Sequence, residues 1–132
     1  KVCYPLPDRV SNRIEFWFMR EEVKNRSRLV HILEAIERLQ KYAGGLRKEE
    51  LEADVLRYYG IVKNIEIIGE AARMLSTPFK ETHTAVNWRM IANMRNFLVH
   101  EYFRVDSEVV WEVIHTEIVE LKAHILVYLN EE

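Results

Sequence analysis

Apolar side chains recur along this chain at intervals of three and four, the pattern of helices that each bury one face. Leu29, Ile32, Ile36, Leu39 and Ala43 form such a stripe and predict a helix from about Arg20 to Tyr42, stopped by Gly44-Gly45. Leu51, Val55, Tyr58, Val62, Ile65, Gly69 and Ala72 predict a second from about Lys48 to Leu75, where Gly69, Ala71 and Ala72 leave room for a close neighbour. Ser76-Thr77-Pro78 breaks it, because proline has no N–H and restricts the residue before it. Asn87 is placed to cap a third, shorter helix from Trp88 towards Val99. Asp106 or Ser107 can cap a fourth that reaches about Leu129, with Val110, Ile114, Ile118, Leu121, Ile125 and Tyr128 as its stripe. With no strand pattern or internal repeat, the expected fold is all-α, an up-and-down antiparallel four-helix bundle. Residues 1–18, which hold two of the three prolines and Phe16-Trp17-Phe18, are set apart as an N-terminal extension from a helical domain over 19–132. The extension either packs locally or offers a contact surface to a partner.

Composition narrows the setting. The chain has 132 residues, a single-domain length that can bury a core without staples. Four glycines, three prolines, 30% charged and 48% hydrophobic residues fit a helix-rich globular protein. The lone Cys3 cannot form an internal disulfide, no apolar run approaches the roughly 20 residues of a membrane span, and no secretory signal pattern is present. A cytoplasmic protein without a membrane partner is expected. The formal charge of -2 gives no general attraction to nucleic acid, so any such binding must rest on a local basic site.

The chemistry concentrates in Arg95-Asn96-Phe97-Leu98-Val99-His100-Glu101-Tyr102, which places a permanent cation, an imidazole and a phenol within eight residues at a helix end. Arg-x4-His alone carries little weight, since Arg26 and His31 repeat it and the composition yields roughly half an occurrence by chance. Tyr two residues after His lowers that expectation to about 0.02. Ile91, Leu98 and Tyr102 follow an apolar stripe that Arg95 interrupts, and an unpaired buried guanidinium is costly. Arg95 should therefore meet a carboxylate such as Glu66 or Glu70, or a polar cleft at a subunit boundary. His100 stands about 140° from Arg95 on a regular helix, so the two share a face only if the helix loosens. Read alone, a histidine at a helix end is more often a dipole partner or a cap for free carbonyls, and that reading is favoured for His100.

Asn64-Ile65-Glu66-Ile67-Ile68-Gly69-Glu70-Ala71-Ala72, Asn87 to Asn96, His100-x-Tyr102-Phe103 and Val109-Val110-Trp111 together resemble HEPN proteins of the HepT, or DUF86, type. The resemblance runs from about Met19 to Ile125. It implies a ribonuclease toxin encoded beside a small nucleotidyltransferase antitoxin, with RNA as substrate and a homodimer that brings two Arg95 and two His100 into one cleft. Metal-free RNA cleavage needs a base for the 2′-OH, an acid for the leaving 5′-oxygen and positive charge at the phosphorane. Imidazole suits both proton roles, and arginine offers a fork for phosphate oxygens. Asn96 would orient a phosphate or the histidine. The resemblance makes Tyr102 the acceptor of AMP from the nucleotidyltransferase, which would place phosphate charge beside the cleft. Two departures stand out: Glu101 replaces the usual Gly, and Thr82-His83-Thr84-Ala85-Val86 replaces a commonly Pro-rich segment.

Two other readings compete with an active ribonuclease: a non-catalytic helical subunit that binds the nucleotidyltransferase, and a HEPN relative impaired by Glu101. Glu112-x-x-His115 has the spacing of carboxylate-bridged metal bundles, but no second copy accompanies it, so no metal or other cofactor is expected. His31, His83 and His124 are expected at the surface or in caps.

Overall fold

The structure, a computed structural model, describes residues 9–100 and 107–131, with 9–12 and 95–100 described by their backbone. Every regular element among them is helical: α1 (Arg9–Ala43), a 3₁₀ turn (Lys48–Glu50), α2 (Val55–Met74), α3 (Thr77–Thr82), α4 (Trp88–His100), α5 (Ser107–Glu112), a π turn (Val113–Glu117) and α6 (Ile118–Asn130). The all-α bundle expected from the apolar periodicity is present. α2 packs against both α1 and α4, and α6 lies against α1.

The expected stripe of α1 is fully internal, with Leu29, Ile32, Ile36, Leu39 and Ala43 all buried. The helix itself starts well before the expected Arg20. Ile14, Phe16, Trp17, Phe18 and Val23 are exposed along that stretch, so no buried stripe announces it, yet nothing from 9 to 43 is Gly or Pro. At its other end a Cβ on Gly44 would stand 2.6 Å from the Gln40 carbonyl oxygen, which explains the glycine there.

The second helix differs from expectation at its start. Lys48–Glu50 is a separate turn that delivers the fully buried Leu51, and α2 begins only at Val55, where the Asp54 carboxylate accepts the Arg57 N–H at 3.1 Å. Its inward face centres on Ile61, Ile65, Ile68 and Ala72, and Val55 is exposed. Gly69 is buried as expected.

Ser76-Thr77-Pro78 does end α2, but it also opens the unexpected α3, with Ser76 Oγ accepting the Phe79 N–H at 3.4 Å. Proline tolerates the first turn of a helix because its missing N–H has no partner there anyway. Val110, Ile114, Ile118, Leu121, Ile125 and Tyr128 are buried as the periodicity requires. The π turn within this run has a physical reason: two successive steps of four drift by about 80° on an α-helix, and a wider turn absorbs the drift.

Polar ties join distant segments. Asn25, the buried polar side chain among the described residues, donates to Ser76 Oγ at 2.8 Å and accepts the Ser76 N–H at 3.0 Å. Lys122 donates to Gln40 at 2.8 Å, and Lys48 pairs with Glu108 at 2.9 Å.

Candidate active site

α4 is fixed at its first turn and carries the candidate residues Arg95, Asn96 and His100 on its last two. Asn87 caps it, the Oδ1 atom accepting the Met90 N–H at 3.1 Å, as the sequence suggested. Trp88 is buried and its indole N–H donates to the His83 carbonyl at 2.8 Å; Ile91 is buried one turn later. The helix packs on α2, where Gly69 and Ala72 present little side-chain bulk.

The backbone stays helical through His100. The backbone positions 95 and 100 are therefore set about 140° apart around the axis and about 7.5 Å along it, and position 96 follows 95 by about 100°. The side chains of Arg95, Asn96 and His100, together with Glu101 and Tyr102, lie outside the described residues, as does the continuation of the stripe at Leu98. On α2, Glu66 lies 3.6 Å from Lys63, and Glu70 lies 2.7 Å from Arg73.

The second Arg-x4-His pair is split between two faces. The Arg26 guanidinium donates to the Leu129 carbonyl at 3.1 Å on the α6 side. His31 instead lines a cleft beside α2 with Arg28, Lys63, Glu66 and Glu70. His83 closes the end of the bundle: its Nε2 lies 2.8 Å from Glu131, its Nδ1 lies 2.9 Å from the Phe79 carbonyl, and its ring stacks on Phe79 at 3.9 Å. His115 donates from Nδ1 to the Trp111 carbonyl at 2.8 Å and stacks on that indole. No three His, Cys, Asp or Glu side chains among the described residues come together as a metal set. No helix among them is long and apolar enough to cross a membrane.

Sequence reasoning missed a cleft of about 280 Å³ between α1 and α2, lined by Arg38, Leu39, Tyr42, Arg57, Gly60, Ile61 and Asn64. Its residues come from two segments and share no motif. The available signal was Gly60, a glycine inside a helix, where it costs roughly 0.5–1 kcal/mol against alanine.

The described helices form a small all-α bundle whose fourth helix ends in Arg-Asn-x3-His. A family description, Ribonuclease HepT-like, matches residues 32–127, and the chain belongs to this family. A Caldanaerobacter subterraneus subsp. tengcongensis protein, named provisionally as an RNase, is 39% identical over 104 residues, covering 79% of this chain and 93% of that one. A probable ribonuclease HepT of Thermococcus cleftensis is 35% identical over 94 residues, covering 71% and 86%. A Methanocaldococcus jannaschii protein named as a gamma-glutamylcyclotransferase and, provisionally, an RNase is 35% identical over 113 residues; the match covers 86% of this chain and 50% of that protein. No solved structure matches the chain.

Proposed function

We propose that the chain is a metal-independent endoribonuclease that acts as a homodimer and serves as the toxin of a toxin–antitoxin pair. The observation that carries this reading is membership of the HepT-like ribonuclease family combined with Arg95, Asn96 and His100 on the last two turns of α4. Because α4 remains helical through His100, Arg95 and His100 of one chain diverge, which favours a cleft completed by a second α4. In a symmetric pair each residue occurs twice around one axis. One His100 would then draw the proton from the 2′-OH while the other protonates the leaving 5′-oxygen, and the Arg95 guanidinium groups would hold the phosphorane oxygens. Asn96 would orient the phosphate or an imidazole. Control would come from a cognate nucleotidyltransferase that transfers AMP to Tyr102, adding anionic charge where the RNA phosphate must enter.

The decisive experiment compares RNA cleavage in EDTA by wild type, Arg95→Ala, His100→Ala, Arg26→Ala and His31→Ala. The first two substitutions should abolish cleavage with the fold intact, and the last two should leave it. Equal losses from both pairs, or cleavage that needs added metal, would refute the assignment.

A further inference from the structure

The cleft between α1 and α2 is floored by the buried Leu39 and Ile61 and carries two arginines, Arg38 and Arg57. No carboxylate lines it. Arg38 is held in place: its Nε donates to Asn64 Oδ1 at 2.8 Å, and the Asn64 amide nitrogen in turn donates to the Gly60 carbonyl at 2.8 Å. That anchoring orients the guanidinium and leaves its two terminal nitrogens without a protein partner among the described residues. Across the cleft Arg57 donates from Nη2 to the Glu50 carbonyl at 3.0 Å, while its Nε is buried with no hydrogen-bond partner among the described residues. The acidic neighbour Glu50 is engaged elsewhere: hydrogen bonds from the Arg47 backbone and side chain hold its carboxyl below the usual range, with a smaller contribution from the charge of Arg57.

Some surface cations are neutralised. Lys24, Arg47, Lys48, Lys63 and Arg73 each lie within salt-bridge distance of a carboxylate, as expected of a chain with 21 acidic and 19 basic residues. Arg38 and Arg57 stand together without one among the described residues. Beside them Tyr42 is 59% exposed, with the Lys41 ammonium 5.2 Å from its ring centroid. Gly60 completes the cleft: a Cβ there would meet nothing within 4 Å, so packing does not require the glycine. A side chain at 60 would instead project into the open space.

The two terminal nitrogens of Arg38, the charge of Arg57 and an exposed ring at the edge match the chemistry of a ribonucleotide, with its phosphate on Arg38 and its base against Tyr42. We infer that this cleft holds a nucleotide of the RNA strand outside the scissile position, through Arg38, Arg57 and Tyr42. The inference rests on the ribonuclease reading for its ligand, but not on the catalytic roles of Arg95 and His100. A free nucleotide shares the same chemistry, and the strand is favoured because a chain that cuts RNA must hold it on both sides of the cut.

The test uses the full chain carrying His100→Ala and a fluorescein-labelled single-stranded RNA, with anisotropy read across a salt series. Arg38→Gln should weaken binding and lower the salt slope by about 0.7, the value for one lost single-strand phosphate contact. Tyr42→Ala should weaken binding by roughly five-fold to a hundred-fold through lost stacking. Gly60→Leu should weaken it without any change of charge, and Arg13→Gln, on an exposed stretch of α1, should not. Unchanged RNA affinity in Arg38→Gln, Tyr42→Ala and Gly60→Leu overturns the inference, as does AMP binding at the cleft with RNA binding unaffected. Cleavage by the chain with native His100 is scored separately. If that chain cleaves RNA while the cleft variants bind normally, only the cleft is refuted; if it never cleaves while those variants lose RNA, only the ribonuclease reading falls.

Discussion

Replacing Asn25 by alanine should cost this fold about 2–3 kcal/mol, more than its single polar side chain suggests. Asn25 is 7% exposed and its amide serves Ser76 twice, donating to the hydroxyl at 2.8 Å and accepting the backbone N–H at 3.0 Å. The two bonds bridge residues 51 apart in sequence and tie α1 to the junction of α2 and α3. Each bond contributes about 1 kcal/mol net, and an N–H left buried without an acceptor costs about 1–3 kcal/mol, partly relieved here because Ser76 is only half-buried. For a chain of this length, such a loss should lower Tm by roughly 7–11 °C. The assay is thermal unfolding followed by circular dichroism at one fixed protein concentration, since subunit association would make Tm depend on concentration. Ser76→Ala removes the hydroxyl that also caps α3, and the double variant completes a cycle. A coupling energy of about 1 kcal/mol or more is expected for groups in direct contact. A loss under about 0.5 kcal/mol for Asn25→Ala, or zero coupling with Ser76→Ala, would refute the clamp.

The two glycines should respond oppositely to one substitution: Gly60→Ala should stabilise by about 0.5–1 kcal/mol, while Gly44→Ala should destabilise, because its Cβ would sit 2.6 Å from the Gln40 carbonyl oxygen. Denaturant midpoints decide this, and equal signs would contradict it. Tyr128→Phe should be neutral or stabilising, since the buried hydroxyl has no hydrogen-bond partner among the described residues. Burial, then the charge of Glu131, pushes the Tyr128 phenol above its ordinary 10.0. The folded state therefore resists ionisation, and this part of its stability is intact below pH 10.0 and lost as pH rises through the folded value. Phenylalanine should flatten that alkaline decline, as pH-dependent melts would show. Tyr102→Phe should keep RNA cleavage yet escape the cognate nucleotidyltransferase, and wild type coexpressed with that partner should gain AMP on the Tyr102 peptide by mass spectrometry. Equal inhibition of both chains without an adduct would point to steric masking.

Where apolar periodicity meets a well-packed face, the chain is readable. Every stripe position named for α1 and for the α5–α6 run is buried, and Asn87 caps α4 because a short acceptor before an apolar run has few alternatives. Periodicity misleads where apolar residues face outward or lie between elements. Phe16, Trp17 and Phe18 are exposed on a helix that no stripe announces, and Leu51 is buried from a 3₁₀ turn that the second stripe absorbed into α2. α3 was hidden because proline was weighed as a stop for one helix, whereas Ser76-Thr77-Pro78 serves equally as a start. Arg95 and His100 were nominated as candidates from the sequence because they share one short segment with Tyr102. The pair formed by Arg38 and Arg57 was not, because only the packing of α1 on α2 brings them together.

That pairing bears on how an acidic chain could hold RNA at all. With a formal charge of -2 the molecule as a whole does not attract a polyanion. Charges more than about 8 Å away are largely screened at physiological salt, so what decides binding is the balance of charge within one Debye length of each phosphate. Along the groove of α1 and α2 that balance changes from end to end. Towards the C-terminal half of α2, Arg28, His31 and Lys63 share a cleft with Glu66 and Glu70, and the opposing charges offset one another. Towards its start, Arg38 and Arg57 line a cleft with no carboxylate. A strand held in the second cleft would meet compensated charge in the first, so its path along the groove would be set by where acid is missing rather than by where base is abundant. Adding one carboxylate to the second cleft, as Asn64→Asp would, should therefore weaken RNA binding more than the same charge added at exposed Ser27 on α1, even though both variants have the same net charge. Equal losses from the two variants would show that the whole-molecule charge, and not the cleft, governs the encounter.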